Sequence, residues 1–219
     1  MTRTRTALLL TLALAATPAL AQQEISKVNG SITAEAGQTY GDLETVNGSI
    51  RIHDGAVVED ASTVNGSITL GDKVRVDSLE AVNGSVRAGK DVQVRKGVET
   101  VNGSVFFDRG SVVGGDIETV NGSIGLVATQ LARGIKTVTG DITVGIDSHV
   151  KGGIKVEKPR GFNLRPKRDP RVIIGPNAIV EGPLVFEREV TLYVHTSART
   201  GPVTGATAKP FSTDTAPAN

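Results

Sequence analysis

The 219-residue chain has no cysteine and no tryptophan, and its aromatic side chains are five phenylalanines and two tyrosines. Without cysteine there are no disulfides, no thiol nucleophile and no attachment point for a bacterial lipoprotein anchor. An excess of charge of one sign is also missing, with 24 Lys and Arg against 23 Asp and Glu. That balance argues against a general nucleic-acid binder, whose footprint is a surplus of basic residues. The apolar run Ala7 to Ala16 is too short to span a bilayer. A core built almost without aromatics has to close by repetition of aliphatic side chains, which points away from an ordinary globular enzyme and toward a repeat. What is plentiful is glycine, 26 of 219 residues or about 12% against a usual ~7%. Glycine and proline together make up about 16%, below the ~25–30% that suggests disorder.

The first residues are set apart from the rest. Arg3 and Arg5, the apolar run and then Ala19-Leu20-Ala21 have the layout of a secretory signal peptide: basic n-region, short h-region and small-x-small cleavage site. The expected mature chain starts at Gln22, has 198 residues and carries 22 basic against 23 acidic side chains, because the segment removed holds two arginines and no acid. Export places the protein in the periplasm, outside the cell or at its surface.

The tetrapeptide V-N-G-S begins at Val28, Val46, Val64, Val82, Val101 and Val120, and a degenerate V-T-G-D begins at Val138. A period of 18 or 19 residues held over about 130 residues marks a solenoid, whose units bury their apolar faces only by stacking. The unit has no amphipathic helical stretch and favours Val, Ile and Thr, the residues of strands. From each leading valine an apolar residue recurs every six positions, as in Val46, Ile52, Val58 and Val64, Leu70, Val76. The unit from Val120 continues with Leu126 and Ala132. A second track, Ile32, Ile50, Ile68, Val86, Val105, Ile124 and Ile142, sits two residues before the middle position. Residues two apart share one face of a strand. Three such stretches per unit describe one triangular coil of an all-β, parallel β-helix, with the leading valines facing the core. The two 19-residue units take their extra residue after Val94 and after Val113, where it can bulge at a corner. Crossovers between parallel strands are as a rule right-handed, so a right-handed coil is expected, although six-residue beats also occur in left-handed coils.

The beat breaks at residues 157–171, where three prolines and a local charge of +4 form a basic excursion. It resumes over residues 172–206 at Val172/Ile174, Ala178/Val180, Leu184/Phe186 and Val190/Leu192. Residues 22–156 and 172–206 together make about nine coils, a rod on the order of 40 Å at about 4.8 Å per coil. Residues 207–219, rich in Ala, Thr and Pro, are expected to form a mobile tail.

The V-N-G-S-I units resemble the glycine-punctuated repeats of bacterial adhesin-like families of unknown function. The segment I-I-G-P-N-A-I-V-E-G-P-L, within residues 172–205, resembles the polymer-forming coils of bactofilins. Both resemblances imply a β-helix with a structural or surface role, and neither supplies catalytic residues. Unlike a bactofilin, this chain opens on an export-type segment.

Four groups of residues invite a functional reading. Asn29, Asn47, Asn65, Asn83, Asn102 and Asn121 stack in one column and are followed by Gly30, Gly48, Gly66, Gly84, Gly103 and Gly122. Each Asn heads an N-G-S glycosylation acceptor. Each Asn-Gly is equally a corner, the glycine supplying a positive φ and the amides a ladder from coil to coil. Glu44, Glu80, Glu99 and Glu118 form a carboxylate column that continues as Lys136 and Lys155. It can collect divalent cations, or stay simply solvated, since like charges ~5 Å apart in water repel by only about 0.8 kcal/mol. Thr45, Thr63, Thr100, Thr119 and Thr137 run beside it as a surface row. Lys158, Arg160, Arg165, Lys167, Arg168 and Arg171 of the excursion suit an anionic glycan, lipopolysaccharide phosphates or peptidoglycan carboxylates, or serve as a solvated loop. The histidines His53, His149 and His195 share no metal-ligand spacing, and no phosphate loop or nucleophile elbow is present.

These features favour a non-catalytic, exported β-solenoid acting as a structural or adhesin-like module at the cell envelope, needing no cofactor or metal. Envelope polysaccharide is the expected partner. The first coil, near Ile25, has no helix to cover it, so self-association through coil ends is a further expectation. The rival readings are a polysaccharide-acting or hexapeptide-acyltransferase-like enzyme, and a periplasmic filament former.

Overall fold

Apolar and polar residues alternate over stretches of two to nine residues, and Gly, Asn or Asp interrupts each stretch. In a computed structural model of the chain, which describes residues 22–159 and 168–217, these stretches form 26 strands. No helix is present among the described residues. The export-type segment and three basic residues of the excursion, Arg160, Arg165 and Lys167, lie outside the described residues. Every ladder is parallel. The strands coil into a β-solenoid with a repeat of about 18 residues.

One face, the isoleucine face, is a 10-stranded sheet whose register runs Ile32, Ile50, Ile68, Val86, Val105, Ile124, Ile142, Val172, Leu192, Ala208. A 16-stranded sheet wraps the other two faces. On the second face Val76, Val94, Val113, Leu131, Val150 and Val180 point inward in register. On the third, the glutamate face, the inward column is Leu43, Ala61, Leu79, Val98, Ile117, Ile135, Ile154 and Leu184. The interior holds one layer of aliphatic side chains from each face. The most deeply buried of its aromatics, Phe107, fits because its register neighbour on one side is Ala88, while Tyr40, Phe186, Tyr193 and Phe211 are buried nearer the ends of the rod. So narrow a core explains why seven aromatics suffice.

In the early coils the second and third faces share one strand, Val57–Asn65 or Arg75–Asn83. From the first 19-residue unit onward that strand splits into Gln93–Val94 and Val98–Asn102, with Arg95, Lys96 and Gly97 forming a corner. Leu79 follows Val76 by three residues, whereas Val98 follows Val94 by four, which is where the extra residue goes.

The structure corrects four sequence expectations. The leading valines face outward: Val46, Val64, Val101 and Val120 are each 40% exposed, and the inward residues are the threonines before them, Thr45 at 4% and Thr119 at 4% among them. Counting in sixes fails across the V-N-G-S corner because two inward residues, such as Thr45 and Ile50, are five apart there, an odd step that reverses the parity of a strand. Likewise the buried residue of the sixth unit is Leu131, and Ala132 is exposed. Positive φ belongs to another corner. Of the six V-N-G-S glycines only Gly30, in the end coil, has it. In the stack it recurs one turn further on, between the isoleucine and second faces, at Gly37, Gly55, Lys73, Asp91, Gly110, Ala128, Asp147 and Asn177. Finally, the coils number ten. Ala208–Phe211 pairs with Thr191–His195 as a tenth rung, and Phe211 is buried edge-on to Tyr193 and His195. The solenoid therefore extends through Phe211, beyond the point at Thr207 where a tail was expected.

The two glycine columns predict opposite responses to mutation. A Cβ on Gly84 would fall inside the carbonyl group of Gly66 in the coil below, a backbone neighbour that cannot swing away. Gly84→Ala is expected to cost about 3 kcal/mol or more. Lys73 holds a left-handed φ of 58°, which costs a side-chain-bearing residue about 1–2 kcal/mol. Lys73→Gly is expected to be neutral or to stabilise by up to about 1 kcal/mol after the added entropy of the unfolded chain is counted. Urea unfolding followed by circular dichroism measures both.

Candidate functional site

The T-V-N-G-S corner assigns each of its residues a separate contact. The Thr63 hydroxyl, turned inward, donates to the Gly48 carbonyl at 2.9 Å, and Thr45 does the same to Gly30 at 3.0 Å. Without them these part-buried carbonyls would lose their side-chain donor. The asparagines form an unbroken amide ladder, Asn47 donating to Asn29, Asn65 to Asn47, Asn83 to Asn65, Asn102 to Asn83 and Asn121 to Asn102, at 2.9–3.0 Å. Thr139 closes it, donating to the Asn121 side-chain oxygen at 2.6 Å. The glycines let the corners stack at the sheet spacing. Each serine hydroxyl accepts the N–H of the next serine, as Ser67 N–H does to Ser49 at 3.3 Å. Only the valine makes no contact that the corner needs.

That valine row defines the outward surface of the glutamate face. Strand alternation places Glu44, Ser62, Glu80, Glu99, Glu118, Lys136 and Lys155 in one outward column and Val46, Val64, Val82, Val101, Val120 and Val138 in the column two residues on. Between Glu80 and Glu157 the two columns line an open groove of about 430 Å³ that follows the rod axis. Its charge changes sign along its length. Glu80 and Glu99 make no side-chain hydrogen bond or ion pair among the described residues. Glu118 is paired with Lys136 at 2.5 Å, and Lys155 bridges Glu157 at 2.9 Å and Glu187 at 3.0 Å. The Glu118 hydrogen bond holds the Lys136 ammonium above the ordinary lysine value, and Glu157 and Glu187 do so for Lys155.

The basic excursion occupies the corner where an eighth V-N-G-S would stand. Thr137 and Val156 are register partners, as are Ile142 and Val172, so a connection of four residues becomes one of fifteen. Both of its ends are fastened. Lys158 donates its backbone N–H to Glu187 at 3.2 Å, and Asp169 meets Arg188 at 3.5 Å. Asp141, standing where other coils carry the corner serine, accepts both Arg168 guanidinium nitrogens, at 2.9 and 2.6 Å, and the Arg171 N–H at 2.9 Å. This hydrogen bonding holds Arg168 above the ordinary arginine range. The Arg171 guanidinium lies over the Tyr193 ring at 4.9 Å and donates to the Pro217 carbonyl. Arg168 and Arg171 are therefore engaged within the chain. Of the described basic residues of the excursion, Lys158 is the one whose side chain stands exposed without such a partner.

The histidines stay apart. His149 pairs with Glu181 at 2.6 Å and His195 with Ser197 at 2.8 Å. No group of three His, Asp or Glu side chains is placed to hold a metal ion among the described residues. No helix there is long and apolar enough to cross a membrane.

Sequence reasoning missed the exposed valine row, the buried threonines and Asp141. A signal for the first two was present. The apolar column Leu43, Ala61, Leu79, Val98, Ile117, Ile135, Ile154 stands three residues before each valine or its equivalent, an odd offset that places the two on opposite faces of one strand. Asp141 had no comparable signal, because its partners are 27 and 30 residues away.

Asn65 makes two ladder bonds, so Asn65→Ala is expected to cost about 1–2 kcal/mol, and Asn29→Ala, at the ladder's end, about half as much. Thr63→Val keeps the shape but leaves the Gly48 carbonyl without its hydroxyl donor, at about 1–3 kcal/mol. Each kcal/mol lowers Tm by roughly 2–4 °C for a chain of this size, so an unchanged melt for Asn65→Ala would remove the ladder from the account of stability. No family model matches this chain, and no curated protein or solved structure is significantly similar to it.

Proposed function

We propose that the protein is a non-catalytic structural or adhesin-like module of the bacterial cell envelope, exported through its N-terminal segment. The observation that carries this reading is the glutamate face, where a largely charged column and a valine column run side by side from coil to coil and line a groove along the rod instead of converging on a point. An extended partner suits such a surface, because contacts of about 1 kcal/mol each add up only when many coils engage. The amide ladder, the stacked glycines and the serine bonds keep the rod regular, which holds the rows in line. The excursion adds a local surplus of positive charge beside this face, suited to the phosphates and carboxylates of envelope polymers.

The test is cosedimentation of the purified protein, expressed from its full sequence, with peptidoglycan sacculi, with lipopolysaccharide and with a neutral glycan. Binding to at least one anionic polymer is expected, falling as salt screens the charges. Changing Lys158, Arg160, Arg165 and Lys167 to Gln, with Arg168 and Arg171 left in their internal contacts, is expected to weaken that binding at least tenfold. Protein that stays in the supernatant with every polymer overturns the envelope role. Unchanged binding by the neutralised variant removes the excursion as the contact.

A further inference from the structure

We infer that two copies of the solenoid associate side by side and antiparallel through their glutamate faces. The ends are poorly suited to association. In the first coil Lys27 takes the inward position that Thr45 holds in the second, and its ammonium folds back onto the Ser31 carbonyl at 2.8 Å. An inward-pointing charge on an edge strand works against pairing with another edge. At the other end Phe211 is buried against Tyr193 and His195. The side face has the opposite character. Val82, Val101 and Val120 expose 40–41% of their surface in consecutive coils, in an apolar row that the fold does not require. Beside it the order of charge is Glu80, Glu99, Glu118, Lys136, Lys155, one residue per coil.

An order running from acid to base is complementary to its own reverse. A two-fold axis along the strand direction, at the coil of Glu118, inverts the rod and keeps each column opposite itself. Glu80 then faces the second copy's Lys155, and Glu99 faces the second copy's Lys136. Val101 meets the second copy's Val138, and Val82 lies opposite the second copy's Glu157. On the axis Val120 and Glu118 each meet their own equivalents, each Glu118 bringing the Lys136 it holds at 2.5 Å. Each off-axis pairing occurs twice, as an isologous contact requires. The arrangement gives Glu80 and Glu99 the cations they lack, and a lysine ammonium has donors to spare for a further carboxylate. A parallel arrangement would set like charge on like at every charged coil, whereas the antiparallel one does so only at Glu118. A face about five residues wide and nine coils tall covers roughly 600–700 Å² at strand and sheet spacings. A stable interface uses about 800 Å² per partner, so the dimer is reversible and weakened by salt.

This inference does not depend on the envelope role, and its test is separate. Sedimentation velocity on the purified protein, from low micromolar concentration upward, is expected to show a monomer–dimer equilibrium. An acidic copy, Lys136→Glu with Lys155→Glu, and a basic copy, Glu80→Lys with Glu99→Lys, are each expected to stay monomeric and to form a heterodimer when mixed. Thermal melts confirm that both are folded. Orientation is read by cysteine, which the native chain lacks. Val120→Cys, on the axis, is expected to give a disulfide-linked dimer under mild oxidation, and Val46→Cys, four coils from it, is not. A wild-type monomer at every concentration overturns the inference, as does charge-swapped copies that fail to pair. Cross-linking by Val46→Cys overturns the antiparallel arrangement.

Discussion

The spacing of about 4.8 Å between parallel strands constrains everything else in this molecule. Backbone hydrogen bonds fix that distance at all three faces, so any residue at a corner sits within reach of its equivalents above and below. A side chain there must tolerate a copy of itself one strand spacing away. Asparagine does so by donating from one coil to the next, serine by accepting the following N–H, and glycine by presenting nothing that would strike the carbonyl beneath it. The repeated sentence V-N-G-S is the list of residues that stack on themselves at this distance. Carboxylates do not, yet in water their mutual repulsion is small enough to be carried.

Much of the fold was legible because each core column is apolar and mostly aliphatic and recurs at a nearly constant period. What misled was the corner. A strand has a parity, and a corner can reverse it; nothing in the spelling of V-N-G-S says that the step across it is odd. Val and Thr occupy similar volume and both suit strands, so composition could not tell which of the pair at Thr45-Val46 faced inward. The decisive column was Leu43 and its equivalents, since strand alternation from a residue of certain burial carries parity forward where counting through a turn does not. Positive φ was misplaced for a related reason. Glycine serves two needs here, close approach and left-handed backbone, and the corner that needs the second is written with Lys, Asp, Ala or Asn more often than with Gly.

The charges were legible as a list and not as a pattern of contacts. Six basic residues within fifteen look like a uniform basic patch, yet Arg168 and Arg171 are joined to Asp141, a partner some thirty residues earlier in the chain. Coil stacking produced that proximity. The acidic column, in contrast, could be traced from the period alone, and the structure adds which of its members are already paired.

These pairings show how the V-N-G-S corner changes its side-chain contacts partway along the rod. From the first coil to the sixth, neighbouring corners are joined by amides. At the seventh, Thr139 ends the ladder and Asp141 replaces serine. Around and above that point ion pairs gather on this side of the rod, Lys136 to Glu118, Lys155 to Glu157 and Glu187, Arg168 to Asp141, and Arg188 to Asp169, whereas those of the lower coils, such as Arg95 to Asp77 and Lys96 to Asp60, lie at the corner between the second and third faces. The excursion makes this change necessary. An insertion of eleven residues at the V-N-G-S corner leaves no stacked asparagine to continue the ladder, so that corner must be closed by contacts able to reach across a wider gap. Long charged side chains provide that reach, each exposed pair contributing about 0–1 kcal/mol. The same substitution of lysine for glutamate in the outward column reverses the charge of the groove. The acid-to-base order of the exposed face thus turns over beside the point where the amide ladder ends, and the self-complementary surface arises where the two halves of the solenoid meet.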